Sequence, residues 1–85
     1  MIDVNEFMEG LGKQVRFHRM KAGLTQLQLA KMAGVGKTTV FDIEKGKTSV
    51  RIDSLLAVLG IVNIDIRFSG PLSTEYEKLL ERENN

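Results

Sequence analysis

Apolar residues recur at helical spacing over most of the chain, at intervals of three and four positions. An early row of them predicts a helix over residues 5–22, ended by Gly23. A later row predicts a helix over residues 52–59, ended by Gly60. The early row consists of Phe7, Met8, Leu11 and Val15, and the later row of Ile52, Leu55, Leu56 and Leu59.

Two shorter helices are predicted between these, within residues 25–46. Thr25 and Gln28 have the spacing of a capping box at the start of the first short helix. Gly34 is typical of a left-handed residue that ends a helix, and Gly36 can cap the next one. A helix, a glycine-containing turn and a second helix of this length are typical of a helix-turn-helix that docks on DNA.

The four helices together predict a compact helical domain over residues 1–60. A chain of 85 residues can bury a modest core of this kind. The core is expected to contain Leu11, Val15, Leu24, Leu29, Ala30, Ala33, Val35, Val40, Ile43, Leu55, Leu56 and Leu59.

The pattern changes to strict alternation after the fourth helix, which predicts a half-buried β-strand within residues 61–69. No other segment alternates in this way, and an isolated strand leaves backbone groups without partners. We therefore expect two copies of the strand to pair across a two-fold axis in a homodimer. An edge strand packed on its own helices is the alternative. The pairing strand would present Val62, Ile64, Ile66 and Phe68 on one side.

Residues 70–85 are predicted to form a C-terminal tail that contains a short helix. Thr74 and Glu77 have capping-box spacing, and the helix would run from Glu75 to about Arg82. Its apolar residues are few, so the pattern leaves open whether it frays or becomes ordered on a partner.

The distribution of charge along the chain says more about possible binding partners than the formal net charge of +1 does. Residues 13–51 carry nine basic side chains against two acidic ones, a net +7, whereas residues 1–12 and 52–85 each carry a net −3. A charge excess alone is also typical of a solvated surface. Because this one coincides with the helix-turn-helix, we interpret it as a phosphate-binding surface.

Neither the composition nor the motifs indicate an enzyme, a metal site or a bound cofactor, so we expect none of these. The chain has no cysteine, and its one histidine, His18, has no companions at ligand spacing. Residues 34–38 imitate the end of a phosphate-binding loop, but Lys31 stands where that motif needs glycine. No apolar run approaches a membrane span and no secretory signal pattern is present, so we expect a cytoplasmic protein that binds no membrane.

Arg19 continues the apolar row of the first helix, where an unpaired charge would be costly. Glu44, on the inner side of the third helix, is the expected partner. The alternative is that both side chains reach solvent. An Arg19–Glu44 ion pair would fasten the first helix to the third.

Residues 25–46, TQLQLAKMAGVGKTTVFDIEKG, resemble the Cro/C1-type (Xre) helix-turn-helix family. The shared features are Thr-Gln, Leu-Ala, Gly-Val, a β-branched residue inside the third helix and Glu-x-Gly at its end, with Val15 and Arg19 upstream. A solitary strand after the fourth helix is similar to the HipB-like antitoxins, a group that includes Y4mF-type regulators. The expected fold is therefore mainly α, with a compact four-helix domain and one C-terminal strand that pairs across a homodimer.

The resemblance implies which residues contact DNA. Candidates for the base edges are Gln26, Gly36, Lys37, Thr38 and Asp42. Candidates for the phosphates are Thr25, Thr39, Lys45, Lys47, Thr48 and Arg51.

The resemblance also implies a function. The expected protein is a repressor that binds an inverted-repeat operator as a homodimer, with half-sites ~34–36 Å apart. As a HipB-like antitoxin it would repress its own operon and hold a HipA-type serine/threonine kinase toxin inactive. A regulator without a toxin and an adaptor that binds only protein are the alternatives.

Overall fold

The computed structural model describes residues 1–84 and is mainly helical. Each predicted helix is present, with bounds that differ from the prediction by a few residues. In chain order, the helices are α1 (Val4–Lys21), α2 (Gln26–Ala33), α3 (Lys37–Glu44), α4 (Ile52–Ile61) and α5 (Ser73–Asn84).

The predicted caps of α2 are confirmed. The Thr25 hydroxyl accepts from the Gln28 backbone N–H at 3.1 Å, and the Gln28 side chain accepts from the Thr25 N–H at 2.8 Å. Gly34 ends α2 with a φ of +70°, a conformation that costs a glycine little. Val35, which follows, packs against the core. These local contacts fix the tight turn between α2 and α3.

Helices α1 to α4 enclose one core, and α2 contacts both α3 and α4. Leu56 was expected in the core but is exposed, as are Phe7 and Ile52 of the two apolar rows. Neighbouring residues lie about 100° apart around a helix, so Phe7 and Leu56 turn away once Met8 and Leu55 point inward. The buried apolar residues are Met8, Val15, Leu29, Ala30, Val40, Ile43, Leu55, Val58, Leu59 and Val62.

Gly60 does not end α4, contrary to the prediction. The helix continues through it to Ile61, and Val62 caps it while packing into the core. Burying the side chain of Val62 contributes more than the roughly 1 kcal/mol that glycine costs inside a helix.

The predicted β-strand is also absent from residues 1–84. Val62 belongs to the helix cap, and Asn63 adopts a φ of +60°, which interrupts an extended chain. The Ile64 N–H donates to the Leu59 carbonyl at 3.0 Å, a bond of the helix end. Of the four proposed strand residues, Val62 and Ile64 therefore pack within the chain, whereas Ile66 and Phe68 are exposed.

Helix α5 is longer than predicted and begins differently. Ser73 opens it, and its hydroxyl accepts from the Gly70 N–H at 2.8 Å. Thr74 lies inside the helix, so the predicted Thr74 cap is wrong. Helix α5 buries none of its residues, and Tyr76, Leu79 and Leu80 form an exposed apolar row.

Candidate nucleic-acid interface

The orientation of α3 follows from two of its residues. Val40 and Ile43 are fully buried, so one side of the eight-residue helix faces the core. The opposite arc, at about 100° per residue, consists of residues 37, 38, 41, 42 and 45. This arc, called here the outer arc of α3, carries most of the side chains predicted to contact bases.

A shallow cleft lies where the outer arc of α3 meets the start of α2. Gln26, Lys37, Thr38 and Phe41 line it, and its volume is about 390 Å³. The structure thus brings together three of the predicted base contacts, Gln26, Lys37 and Thr38. Gly36 stands beside them as the N-cap of α3, without a side-chain cap.

Asp42 lies apart from that cleft. Its carboxylate is 3.7 Å from the Lys47 ammonium, and both residues line a second cleft between α3 and α4. Thr39 and Arg51, two predicted phosphate contacts, line the same cleft. The structure therefore groups Asp42 with the predicted phosphate contacts instead of the predicted base contacts.

The remaining predicted phosphate contacts lie around these clefts. Lys45 follows α3 and its ammonium lies 5.6 Å from the centre of the Phe41 ring. Thr48 is exposed in the loop before α4. Thr25 is exposed as well, although its hydroxyl is engaged in the α2 cap.

Two of the cations predicted to contact phosphates are paired with carboxylates. Arg51 donates to Asp53 at 2.9 Å, and Lys47 lies near Asp42. The backbone N–H of Ser54 and then Arg51 lower the pKa of Asp53. Solvent-accessible pairs of this kind are weak, so neither cation is held firmly by its carboxylate.

A part-buried network holds α3 against α1 and α2. The Arg19 Nε donates to Glu44 Oε2 at 2.6 Å, and its Nη2 donates to Oε1 at 3.0 Å. The third nitrogen of Arg19 donates to the Leu24 carbonyl at 2.8 Å. Hydrogen bonding to Glu44 raises the pKa of Arg19 above its ordinary value. The expected ion pair is thus present, with two parallel hydrogen bonds.

Gln26 joins the same network. Its Nε2 donates to Glu44 Oε1 at 3.3 Å, which places the side chain at the edge of the cleft on α3. A residue predicted to touch DNA is therefore positioned by the ion pair behind it.

Phe41 lines the first cleft, but the sequence interpretation assigned it no contact with DNA and placed it only beside the base-contacting face. It lies in the middle of the outer arc of α3 with 46% of its surface exposed. The helical spacing of Val40 and Ile43 predicts its orientation, because residue 41 must face outward when both of those residues face inward.

No group of three or more histidine, cysteine, aspartate or glutamate side chains could hold a metal ion among residues 1–84. Within the same residues, none of the helices has the length and apolar character needed to cross a membrane.

Comparison with known proteins shows that the site lies within a segment matched by a known family. A family model described as "Helix-turn-helix" matches residues 15–68, which include α2, α3 and both clefts. The chain is also 36% identical over 61 residues to a protein of Sinorhizobium fredii (strain NBRC 101917 / NGR234). That protein is named "Uncharacterized HTH-type transcriptional regulator y4mF", and the match covers 72% of this chain and 80% of the relative.

Proposed function

The chain belongs to the helix-turn-helix family HTH_3, a family of DNA-binding transcription regulators, and on that premise we propose that it is a sequence-specific DNA-binding repressor. The observation that carries the proposal is the outer arc of α3. Lys37, Thr38 and Phe41 project from it beside Gln26, while the cations of the following loop flank it. This is the arrangement with which a recognition helix enters the major groove.

Each side chain then has a definite chemical role. Lys37 can donate to guanine O6 and N7, and Thr38 can bond a base edge or approach a thymine methyl. Lys45, Lys47 and Arg51 bind phosphates, which position the helix without specifying sequence. Asp42 can accept from cytosine N4 once a phosphate has drawn Lys47 away from it.

Lys37→Ala and Lys47→Ala are expected to weaken DNA binding in different ways. Lys37→Ala should remove ~1–3 kcal/mol of discrimination at one base pair. Lys47→Ala should weaken binding to all duplexes alike and lower the salt slope by about 1. Fluorescence anisotropy at several salt concentrations measures both effects, on a duplex selected by the protein from random sequence and on a shuffled duplex.

Lys13→Ala is the matched control, because Lys13 is exposed on α1 and, among the described residues, paired only with Glu9. It should leave both quantities unchanged. Equal losses on both duplexes from Lys37→Ala would contradict its base-contact role, and binding that ignores salt and sequence would contradict the proposed function.

We further propose that the protein binds DNA as a homodimer on an inverted repeat. The support is a set of exposed apolar side chains that no described residue covers, namely Ile52 and Leu56 of α4 and Ile66 and Phe68 after it. Phe68 is 91% exposed, which is unusual for a phenylalanine in a folded chain. Half-sites should be ~34–36 Å apart, so that both copies of α3 enter successive major grooves on one side of the duplex.

Phe68→Glu is expected to yield monomers, since a charge on this surface would lie against apolar side chains of the second copy. Sedimentation equilibrium reports the change, and the affinity for the full inverted repeat should fall toward that for one half-site. Phe17→Glu is the control, because Phe17 is also an exposed phenylalanine but lies on α1. A Phe68→Glu protein that sediments as the parent dimer would contradict the proposed surface.

A HipB-like antitoxin role is the finer form of this proposal. What supports it is α5, whose exposed row of Tyr76, Leu79 and Leu80 offers a protein-binding surface outside α2 and α3. Under this proposal, the protein represses its own operon and inactivates a HipA-type kinase that docks on the C-terminal tail or on the acidic start of α1. Co-purification with a kinase encoded beside it tests this. Sequence-specific binding without such a kinase favours a free-standing regulator, and kinase or other protein binding without DNA binding favours an adaptor.

A further inference from the structure

We propose that Phe41 recognises the C5-methyl group of a thymine in each half-site and so helps to set the sequence preference of the protein. This inference rests on the proposed DNA-binding function and extends it to the choice of base.

Phe41 lies where it can contact a base edge. It belongs to the outer arc of α3, and its ring lines the cleft shared with Gln26, Lys37 and Thr38. A helix that puts Lys37 and Thr38 against base edges puts the side chain one turn later, at residue 41, along the same groove. If Lys37 and Thr38 reach the base edges, the Phe41 ring therefore also lies at the major-groove surface.

The chemistry of the Phe41 ring favours contact with thymine. A phenyl group neither donates nor accepts a hydrogen bond, so it cannot distinguish bases by their polar edges. Of the four bases, only thymine presents an apolar group in the major groove, its C5-methyl. An apolar contact there removes both the methyl group and the exposed ring from water, whereas the polar edge of another base would lose its hydration without compensation.

Lys45 lies beside the Phe41 ring. The ammonium of Lys45 lies 5.6 Å from the ring centre, close enough for a cation–π interaction. Lys45 is also a proposed phosphate contact, so a phosphate that binds it also lies near the ring. This arrangement favours one orientation of Phe41 when the helix docks.

Thymine-to-deoxyuridine substitution isolates the proposed contact, because it removes the methyl group and leaves the hydrogen-bonding edge intact. Each thymine of a selected operator duplex is replaced singly and Kd is measured by fluorescence anisotropy. At one position per half-site, the substitution should weaken binding by about fourfold, the effect of burying one carbon group.

The same scan with Phe41→Ala should show no penalty at that position. Phe17→Ala is the matched control, since Phe17 is 59% exposed and Lys21 lies 5.7 Å from its ring centre, but on α1. It should retain the fourfold penalty of the parent. Thr38→Ser, which removes only the methyl group of Thr38, should retain it as well.

Two results would overturn the inference. One is a uridine penalty that persists in Phe41→Ala, which would assign the effect to DNA shape or to another residue. The other is sequence-specific binding in which no thymine shows a penalty. If the protein has no sequence preference at all, the proposed function itself fails, and that result is distinguishable from both.

Discussion

Replacing Glu44 with alanine is expected to destabilise the fold by about 3 kcal/mol, the lower end of the range for breaking a buried ion pair, because the Arg19–Glu44 pair is part-buried. The side chains of Arg19 and Glu44 are only 12% and 4% exposed, so loss of the carboxylate leaves a largely desolvated guanidinium without its acceptor. The substitution also removes the acceptor of the Gln26 side chain. For a domain of this size, the melting temperature should fall by at least about 12 °C.

Thermal and urea unfolding followed by circular dichroism measure this loss. Glu9→Ala is the matched control, because Glu9 forms a 3.3 Å pair with Lys13 that is exposed on both sides. Its effect should stay below about 0.5 kcal/mol. Glu44→Ala that unfolds like Glu9→Ala would show that the pair contributes no stability.

A second variant separates the charge from the packing. Arg19→Met combined with Glu44→Leu removes both charges and keeps apolar volume at the contact, so it should be more stable than Glu44→Ala alone. The recovery should be partial, because the Leu24 carbonyl then loses its hydrogen bond from Arg19. A double variant that is less stable than Glu44→Ala would contradict the role assigned to the unpaired arginine.

The features that sequence predicted well are those determined within a few residues of one another. The capping box of Thr25 and Gln28 and the left-handed Gly34 depend on local geometry, so their spacing predicts them. The partner of Arg19 is 25 positions away, yet it was predictable because an arginine in an apolar row needs a carboxylate and α3 offers one on its inner side.

The features that sequence predicted wrongly depend on what lies next to them in space. Alternation over residues 62–68 favours a strand only if a second strand is available, and here the core takes Val62 and Ile64 first. Gly60 was expected to end a helix, but burial of Val62 beyond it extends α4. Ile52 and Leu56 have helical spacing, but no element of the described chain covers them.

Gly12 shows the same limit within a correctly predicted helix. It lies on the buried face of α1, where α1 packs against α3. The hydrophobic periodicity of the sequence does not reveal that this position requires a glycine. A Cβ atom there would overlap the carbonyl oxygen of Ile43 and lie 2.9 Å from that of Glu44. Close approach of two backbones, rather than a side-chain contact, therefore sets the distance between α1 and α3.

Gly12→Ala is accordingly expected to destabilise the protein by about 3 kcal/mol, the upper part of the range for overpacking, because the opposing atoms are backbone and cannot rotate away. Gly10→Ala is the control on the same helix. Apart from the adjacent residues and the backbone of α1 itself, no described atom lies within 4 Å of a Cβ at Gly10, so alanine should instead stabilise the helix by roughly 0.5–1 kcal/mol. Urea unfolding of the two variants should thus shift in opposite directions from the parent. Since both gain the same helix propensity, their difference measures the contact between α1 and α3, and equal shifts would show that α3 does not lie this close to α1.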